Sequence, residues 1–350
     1  MDITRHTVNG IIISMRKNIK IGFVDFWSHF VKEEFIGTVA LRQNYDVEIV
    51  SDVKDADYVF YSVMEDEHWF LPPEKIKIFY TGENLCPDFN ACDYAIGFEW
   101  LDYGDRYIRL PNYYGTPYYR GQTAKFEKRY QEELTDDAWR DLARNRKFCS
   151  FVVSNGEGNP IRKQLFDALS QYKKVDSGGR WMNNVGGPVE DKMAFESGHK
   201  FSIACENSSH PGYTTEKIVE AFAARTIPIY WGDPEICRVF NPKAFINVMD
   251  YPSIDAVVER VKELDENEEA YLDMLKEPAL QNPVEYSIEH QIKLMTDFMQ
   301  HIVEQPLAKA QRYNRECIGN LYHLRERRLI LQSRKTWRDL LKERIFHRKQ

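Results

Sequence analysis

The 350-residue chain is too long for one ordinary domain and fits two. Its 43% hydrophobic and 29% charged content describes a globular protein and excludes a disordered one. The net charge of −7 is uneven: Lys309 to Lys349 holds thirteen Lys/Arg against four acids, leaving −16 on an acidic body that argues against a nucleic-acid partner.

Residues 10–13 are the longest apolar run near the N-terminus, and no stretch approaches the roughly 18 apolar residues of a membrane span, so neither a signal peptide nor a span is expected. Residues 19–24 read as a strand, 25–29 as a polar-aromatic loop and 31–43 as a helix. Residues 47–50, 58–61, 76–80 and 94–98 are short apolar runs between acidic or Pro-containing turns, which predicts a mostly parallel sheet with helices on its faces. Residues 115–147 are polar and charged and read as a linker plus a helix over 134–143, with a domain boundary near Asn145. A second α/β domain starts with a strand at 148–154 and a loop at 155–159. Asn159 suits an N-cap and Pro160 a first helical position, so Arg162 projects from a first turn. Residues 175–179 read as another loop, 245–248 as a strand, and 254–264 and 269–275 as helices. The six cysteines are scattered without a CxxC pair, as small buried hydrophobes in a reducing compartment would be.

The most informative stretch is 200–232, KFSIACENSSHPGYTTEKIVEAFAARTIPIYWG. A strand-length apolar run ends at Glu206–Asn207, a Pro/Gly turn follows, and Ile218, Val219, Phe222 and Ala223 then fall at helical spacing before a second buried run. This is a βαβ unit with a polar loop where open α/β sheets bind ligands. Taken singly, Thr214 or Thr215 reads as an N-cap and Glu216 as a first-turn acid. Arg162 and Lys217 both start helices after strands, and together they can face a diphosphate without a metal. A second motif, residues 79–84 (FYTGEN), presents Glu83 at a strand end, with a turn acid an equal reading. Two decoys are set aside. Gly156-Glu157-Gly158 half-matches a dinucleotide fingerprint whose third glycine is here Ile161, and Asp55-Ala56-Asp57 reads as a solvated turn. Neither HExxH nor Walker A occurs.

The strings ENS, YTTEK and PIYWG at 206–208, 213–217 and 228–232 closely resemble the signature of the α1,3/4-fucosyltransferases. YTGEN, DYAIGF (93–98) and SFVVSN with PIR (150–155, 160–162) are similar to segments of the bacterial members, so the resemblance covers roughly residues 19–275. The tandem heptad repeats of many bacterial members are absent. The resemblance implies a GT-B type α/β fold: two Rossmann-like domains facing across a cleft, with acceptor domain 1–145, donor domain 146–305 and a basic amphipathic helical tail 306–350. It implies inverting transfer of L-fucose from GDP-β-L-fucose to a lactosamine-type N-acetylglucosamine hydroxyl, forming a Lewis-type antigen on lipopolysaccharide or a related surface glycan. GDP-fucose is then a substrate, no cofactor is required and a divalent metal is not expected to be essential.

Under that reading Glu83 is the general base and Glu216 stabilises the positive charge developing on fucose. Arg162, Lys217 and Tyr213 hold the diphosphate, and Asn207, Glu206, Ser154, Asn155 and Gly178 complete the donor pocket. Trp27, His29 and Asn84 face the acceptor. The expected location is the cytoplasm, peripheral to the inner face of the cytoplasmic membrane. A glycosyltransferase for another nucleotide sugar and a catalytically silent GDP-sugar-binding, membrane-associated protein stay open. In the tail, Leu321, Leu324, Leu331, Trp337, Leu340, Leu341, Ile345 and Phe346 alternate with Arg and Lys. That pattern suits an anionic membrane surface, ahead of a docked terminal helix as the alternative. A cut after Pro306 is expected to abolish vesicle binding and spare turnover of soluble acceptor.

Overall fold

A computed structural model of the chain describes residues 5–8, 11–14 and 16–347, and side chains from Arg16 to Arg334. It divides into two compact units: Met1–Gly97 with Leu101–Ile108 and Leu294–Gln350, and Phe98–Trp100 with Arg109–Lys293. An antiparallel hairpin, β1 (Arg5–Val8) and β2 (Ile11–Ser14), comes first.

In the first unit β3 (Asn18–Val24), α1 (Ile36–Asn44), β4 (Asp46–Ile49), β5 (Tyr58–Tyr61), β6 (Ile76–Tyr80), β7 (Tyr94–Gly97) and β8 (Tyr107–Arg109) follow in order. Six strands form one sheet in the order β4-β3-β5-β6-β7-β8, parallel from β4 to β7. Strands β5, β6 and β7 are buried along their whole length, which is why they read as unbroken apolar runs. The helix expected over 31–43 starts later. Residues Lys32–Glu34 make one tight turn, then extended Phe35 inserts its fully buried ring against Phe60 and Tyr80 before α1 begins.

The second unit contains α2 (Pro117–Gln131), α3 (Asp136–Arg144), β9 (Lys147–Phe151), α4 (Ile161–Tyr172), β10 (Val175–Ser177), α5 (Lys192–Ser197), β11 (His199–Cys205), α6 (Glu216–Ala223), β12 (Ile227–Trp231), β13 (Ile246–Asn247), α7 (Ile254–Glu266) and α8 (Glu268–Lys276). Its five strands are all parallel, in the order β10-β9-β11-β12-β13. Cys149, Phe151, Leu165, Phe201, Ile229 and Val261 are fully buried in its core, and each such apolar side chain contributes about 1.5–3 kcal/mol. Cys92, Cys149 and Cys205 are buried thiols as expected, whereas Cys86 and Cys317 are exposed.

Four expectations are corrected here. The stretch read as a loop over 175–179 contains β10, whose three residues are all buried. The stretch read as a linker holds α2, with Thr116 accepting from Tyr119 N and Pro117 at the first position. Only Thr123 and Phe126 of α2 are buried, so its polar surface hides the packing stripe from a periodicity reading. The division 1–145, 146–305 and 306–350 also differs from the observed one, because residues from Arg109 group with the second unit and residues from Leu294 with the first.

The fourth correction concerns the tail, where α10 (Leu307–Ala310) and α11 (Cys317–His347) follow α9 (Ile288–Glu304). Asp93 is fully buried and accepts two charged bonds from Arg315, each 2.9 Å, and one from Arg312 N at 2.6 Å. Tyr322 donates to Asp88, Arg327 to the Trp69 and Leu71 carbonyls, and Arg334 to Asp66 and Glu67. Residues 312–334 are therefore built into the first unit. A cut after Pro306 takes Arg312 and Arg315 from the buried Asp93, and cannot be expected to spare turnover. Leu321, Leu324 and Leu331 are exposed on α11 beside exposed Arg325 and Arg328. The side chains of Trp337, Leu340, Leu341, Ile345 and Phe346 lie outside the described residues.

Candidate active site

In the second unit a cavity of about 550 Å³ opens where β9 and β11 end, lined also by the first turns of α4, α5 and α6 and by α2. That is the ligand position of an open parallel sheet. Arg162, Ser154, Asn155, Asn207, Glu216 and Lys217, all predicted for the donor side, line it.

Arg162 is only 1% exposed. Its guanidinium donates to the Cys205 carbonyl at 3.2 Å and to Asn207 Oδ1, and no carboxylate among the described residues pairs with it. Burial pulls it below its ordinary pKa, against the opposing pull of the Cys205 thiol and Glu206. Gly158, at φ +136°, lets the preceding loop pass here, since a Cβ would sit 3.1 Å from both the Arg162 guanidinium and the Asn207 carbonyl. A buried, unpaired guanidinium at a cavity wall is anion-seeking.

Lys217 Nζ lies 2.9 Å from Glu206 Oε2, 2.8 Å from Thr215 Oγ1 and 3.5 Å from Glu216 Oε1. Burial lowers this ammonium, but Glu206 and Glu216 outweigh it and the net shift is upward. For Glu216 burial raises the carboxyl, and Lys217 and Lys192 outweigh that, so it is held below its ordinary value.

Three predicted donor residues lie elsewhere. Glu206 is fully buried and does not line the cavity. It accepts from Thr215 N at 2.8 Å, from Thr215 Oγ1 at 2.6 Å and from Lys217, so it fixes the start of α6. Thr215 is thus the N-cap residue by position, with its hydroxyl turned to Glu206 instead of the helix. Glycine is needed at 232, where a Cβ would lie 2.4 Å from the Glu206 side chain. Tyr213 is 3% exposed, packs edge-on to Phe98 and is also absent from the lining. Gly178 packs under Val189 and Phe195 rather than at the cavity.

In the first unit the FYTGEN motif ends β6, and Glu83 is exposed in the loop that follows, its N–H donating to Thr81 Oγ1 at 3.1 Å. The half-buried Trp27 ring lies beside Gly82, and Asn84 is half-buried in the same loop. His29 is exposed in the loop that carries Trp27.

Sequence reasoning missed Tyr118, Gln122 and Lys125 of α2, together with Lys192 and Glu220. Glu220 had a signal: it stands four residues after Glu216 and shares its helix face. Lys192 had none.

The family model described as "Alpha-(1,3)-fucosyltransferase FucT N-terminal domain" matches residues 21–115. That of "Glycosyltransferase family 10 (fucosyltransferase) C-term" matches residues 142–301. An alpha-(1,3)-fucosyltransferase FucT of Helicobacter pylori is 35% identical over 289 residues, 75% of this chain, which spans 60% of that relative's length. A 4-galactosyl-N-acetylglucosaminide 3-alpha-L-fucosyltransferase of Homo sapiens is 33% identical over 135 residues, 38% of this chain and 37% of its own. A crystal structure of an alpha1,3-fucosyltransferase with GDP-fucose is similar at a TM-score of 0.70 and 31% identity, covering 85% of this chain and 94% of that one.

Proposed function

The chain belongs to glycosyltransferase family 10, the fucosyltransferases, and from that premise we propose that it transfers L-fucose from GDP-β-L-fucose to the 3-hydroxyl of N-acetylglucosamine in lactosamine-type glycans, with inversion. Its two Rossmann-like units are of the GT-B type. The observation that carries the reading is Arg162, a buried guanidinium with no carboxylate partner among the described residues, on the wall of a cavity at the sheet's carboxyl edge. Such a group binds a diphosphate and stabilises it as it leaves.

Lys217 supplies the second cation, and Asn207 holds Arg162 in place. Glu216, ionised at the cavity, stabilises the oxocarbenium-like charge of the transferring sugar. Glu83 takes the acceptor proton. With two cations to meet the phosphates, no divalent metal is required. The 3-hydroxyl is supported by the names of the relatives above. The natural acceptor is a lactosamine-type chain on lipopolysaccharide or a related surface glycan, and the product is a Lewis-type antigen. The chain works in the cytoplasm at the inner membrane face, held by the exposed apolar and basic face of α11. None of the helices among the described residues is long and apolar enough to cross a membrane.

The test is incubation with GDP-fucose and both N-acetyllactosamine isomers, with and without EDTA, followed by linkage analysis. An α1,3-linked product whose yield EDTA leaves intact is expected. Transfer from another nucleotide sugar alone, or activity lost to EDTA and restored by Mn²⁺, overturns the corresponding part.

A further inference from the structure

Three side chains around Glu216 have no part in the chemistry described so far. Lys192, the first residue of α5, places Nζ 2.5 Å from Glu220 Oε2 and 3.8 Å from Glu196 Oε1. Glu220 accepts at its other oxygen from the Tyr118 hydroxyl of α2, 2.8 Å away. Glu196 accepts from Ser202 of β11 at 3.0 Å, and its second oxygen is buried without a hydrogen-bond partner. Glu216 Oε2 is likewise buried and unbonded.

The charges divide unequally. Lys217 already serves Glu206 and Glu216, and a diphosphate arriving in the cavity competes for it. Arg162 faces the cavity from α4 and is committed to the same phosphates. If Glu216 relied on Lys217 alone, donor binding would strip it of its counter-charge just when its negative charge is needed. Lys192 lines the same cavity from α5, paired with Glu220 one helical turn beyond Glu216, and is too firmly held to follow the phosphates.

We propose that Lys192 is a positioning residue of this site: clamped by Glu220 and Glu196, it keeps Glu216 charged while Lys217 turns to the donor phosphates. This rests on the reading of Glu216 as the group that stabilises the transferring sugar. Burial acts to raise Glu216 and to lower Lys192; Lys217 and then Lys192 reverse the first shift, and Glu196, Glu220 and then Glu216 reverse the second. The anchoring of Glu220 by Tyr118 gives α2 a place in the same device.

The experiment is the pH profile of single-turnover transfer at saturating GDP-fucose, between about pH 4.5 and 9. In Lys192→Met the acid limb moves to higher pH by about one unit or more, roughly a tenfold loss on that limb, because Glu216 and the Glu220 carboxylate beside it lose their shared counter-charge. Adding Glu220→Gln to Lys192→Met moves the limb at least halfway back, since one of those carboxylates is gone. A merely structural role predicts lower Tm and equal loss at every pH, with no reversal. If Lys192→Met does not fold, Glu220→Gln is compared with the double variant, in which the limb must lie higher. An unmoved limb in folded Lys192→Met, or a double variant no different from it, overturns the proposal. Glu216→Gln separates the two ideas: Glu83 still gives that variant an acid limb, but if both the limb and the rate are those of the parent, the role given to Glu216 fails, whatever Lys192 does.

Discussion

The two carboxylates assigned to the reaction sit in opposite surroundings. Glu216 lies among Lys192, Lys217, Glu206 and Glu220, half-buried, with one oxygen sealed from solvent. Glu83 is exposed on a loop, its backbone N–H donating to Thr81 and its carbonyl accepting from Leu85 N. A group that must stay charged next to a developing cation has its environment built in advance, where preorganised charges act at low reorganisation cost. A group that must accept a proton is left for the acceptor to desolvate.

The largest effect expected from this contrast is at Glu83. Glu83→Gln should cut turnover about 10²–10⁴-fold, the range for loss of a general base. GDP-fucose affinity by calorimetry should not move, because Glu83 belongs to the other unit. Parent-level turnover in that variant would erase the contrast. Next comes the frame that carries Glu83. Arg315→Met strands the buried Asp93 and should cost about 3–5 kcal/mol in thermal or denaturant unfolding. A cut after Arg334 should leave stability intact while reducing binding to anionic vesicles.

On the donor side, Arg162→Met should weaken GDP binding about 10–100-fold, the value of a charge-assisted hydrogen bond or two, with little change in KM for the acceptor. Equal weakening for both substrates would mean that Arg162 supports the fold and not the phosphates. The last effect, confined to one pH window, is that of Glu196→Gln. Burial pushes Glu196 up from 4.5 to about 7, so the folded protein holds a proton that the unfolded chain releases. The stabilisation is present below the ordinary value and is lost as pH rises toward 7. Relative to the parent, Glu196→Gln should gain stability across that window, on the order of 3 kcal/mol at most. A parallel pair of stability–pH curves would show that Glu196 does not hold the proton.

How much of this was legible in sequence depends on how local its cause is. Strands β5, β6 and β11 are buried along nearly all their length, so apolar runs announced them. The signature announced a site, but not the division of labour within it. Asn207, Glu216 and Lys217 line the cavity, whereas Glu206, Thr214, Thr215 and Asp233 are buried and hold the loop in shape. A polar residue beside a ligand and one beneath it look alike in a string of letters. Helix α2 was missed because it buries two residues in fifteen. The Arg315–Asp93 pair spans 222 positions, and no window of sequence contains both. An amphipathic basic pattern in the tail said that a surface would be covered, but not which one.

The discontinuity of the first unit sets an order of synthesis. Apart from Phe98–Trp100, the second unit is one continuous stretch, Arg109–Lys293, and has everything for its own core as soon as it leaves the ribosome. The first unit is begun earlier but must wait, because Asp93 finds Arg312 and Arg315 only after the whole second unit has been made. Until then its sheet is complete but the surface that α9 and α11 cover stands bare, the kind of unfinished unit that chaperones shield and that aggregates when translation stalls. Arrested nascent chains ending near residue 300 should therefore carry a protease-resistant second unit and a digestible first one.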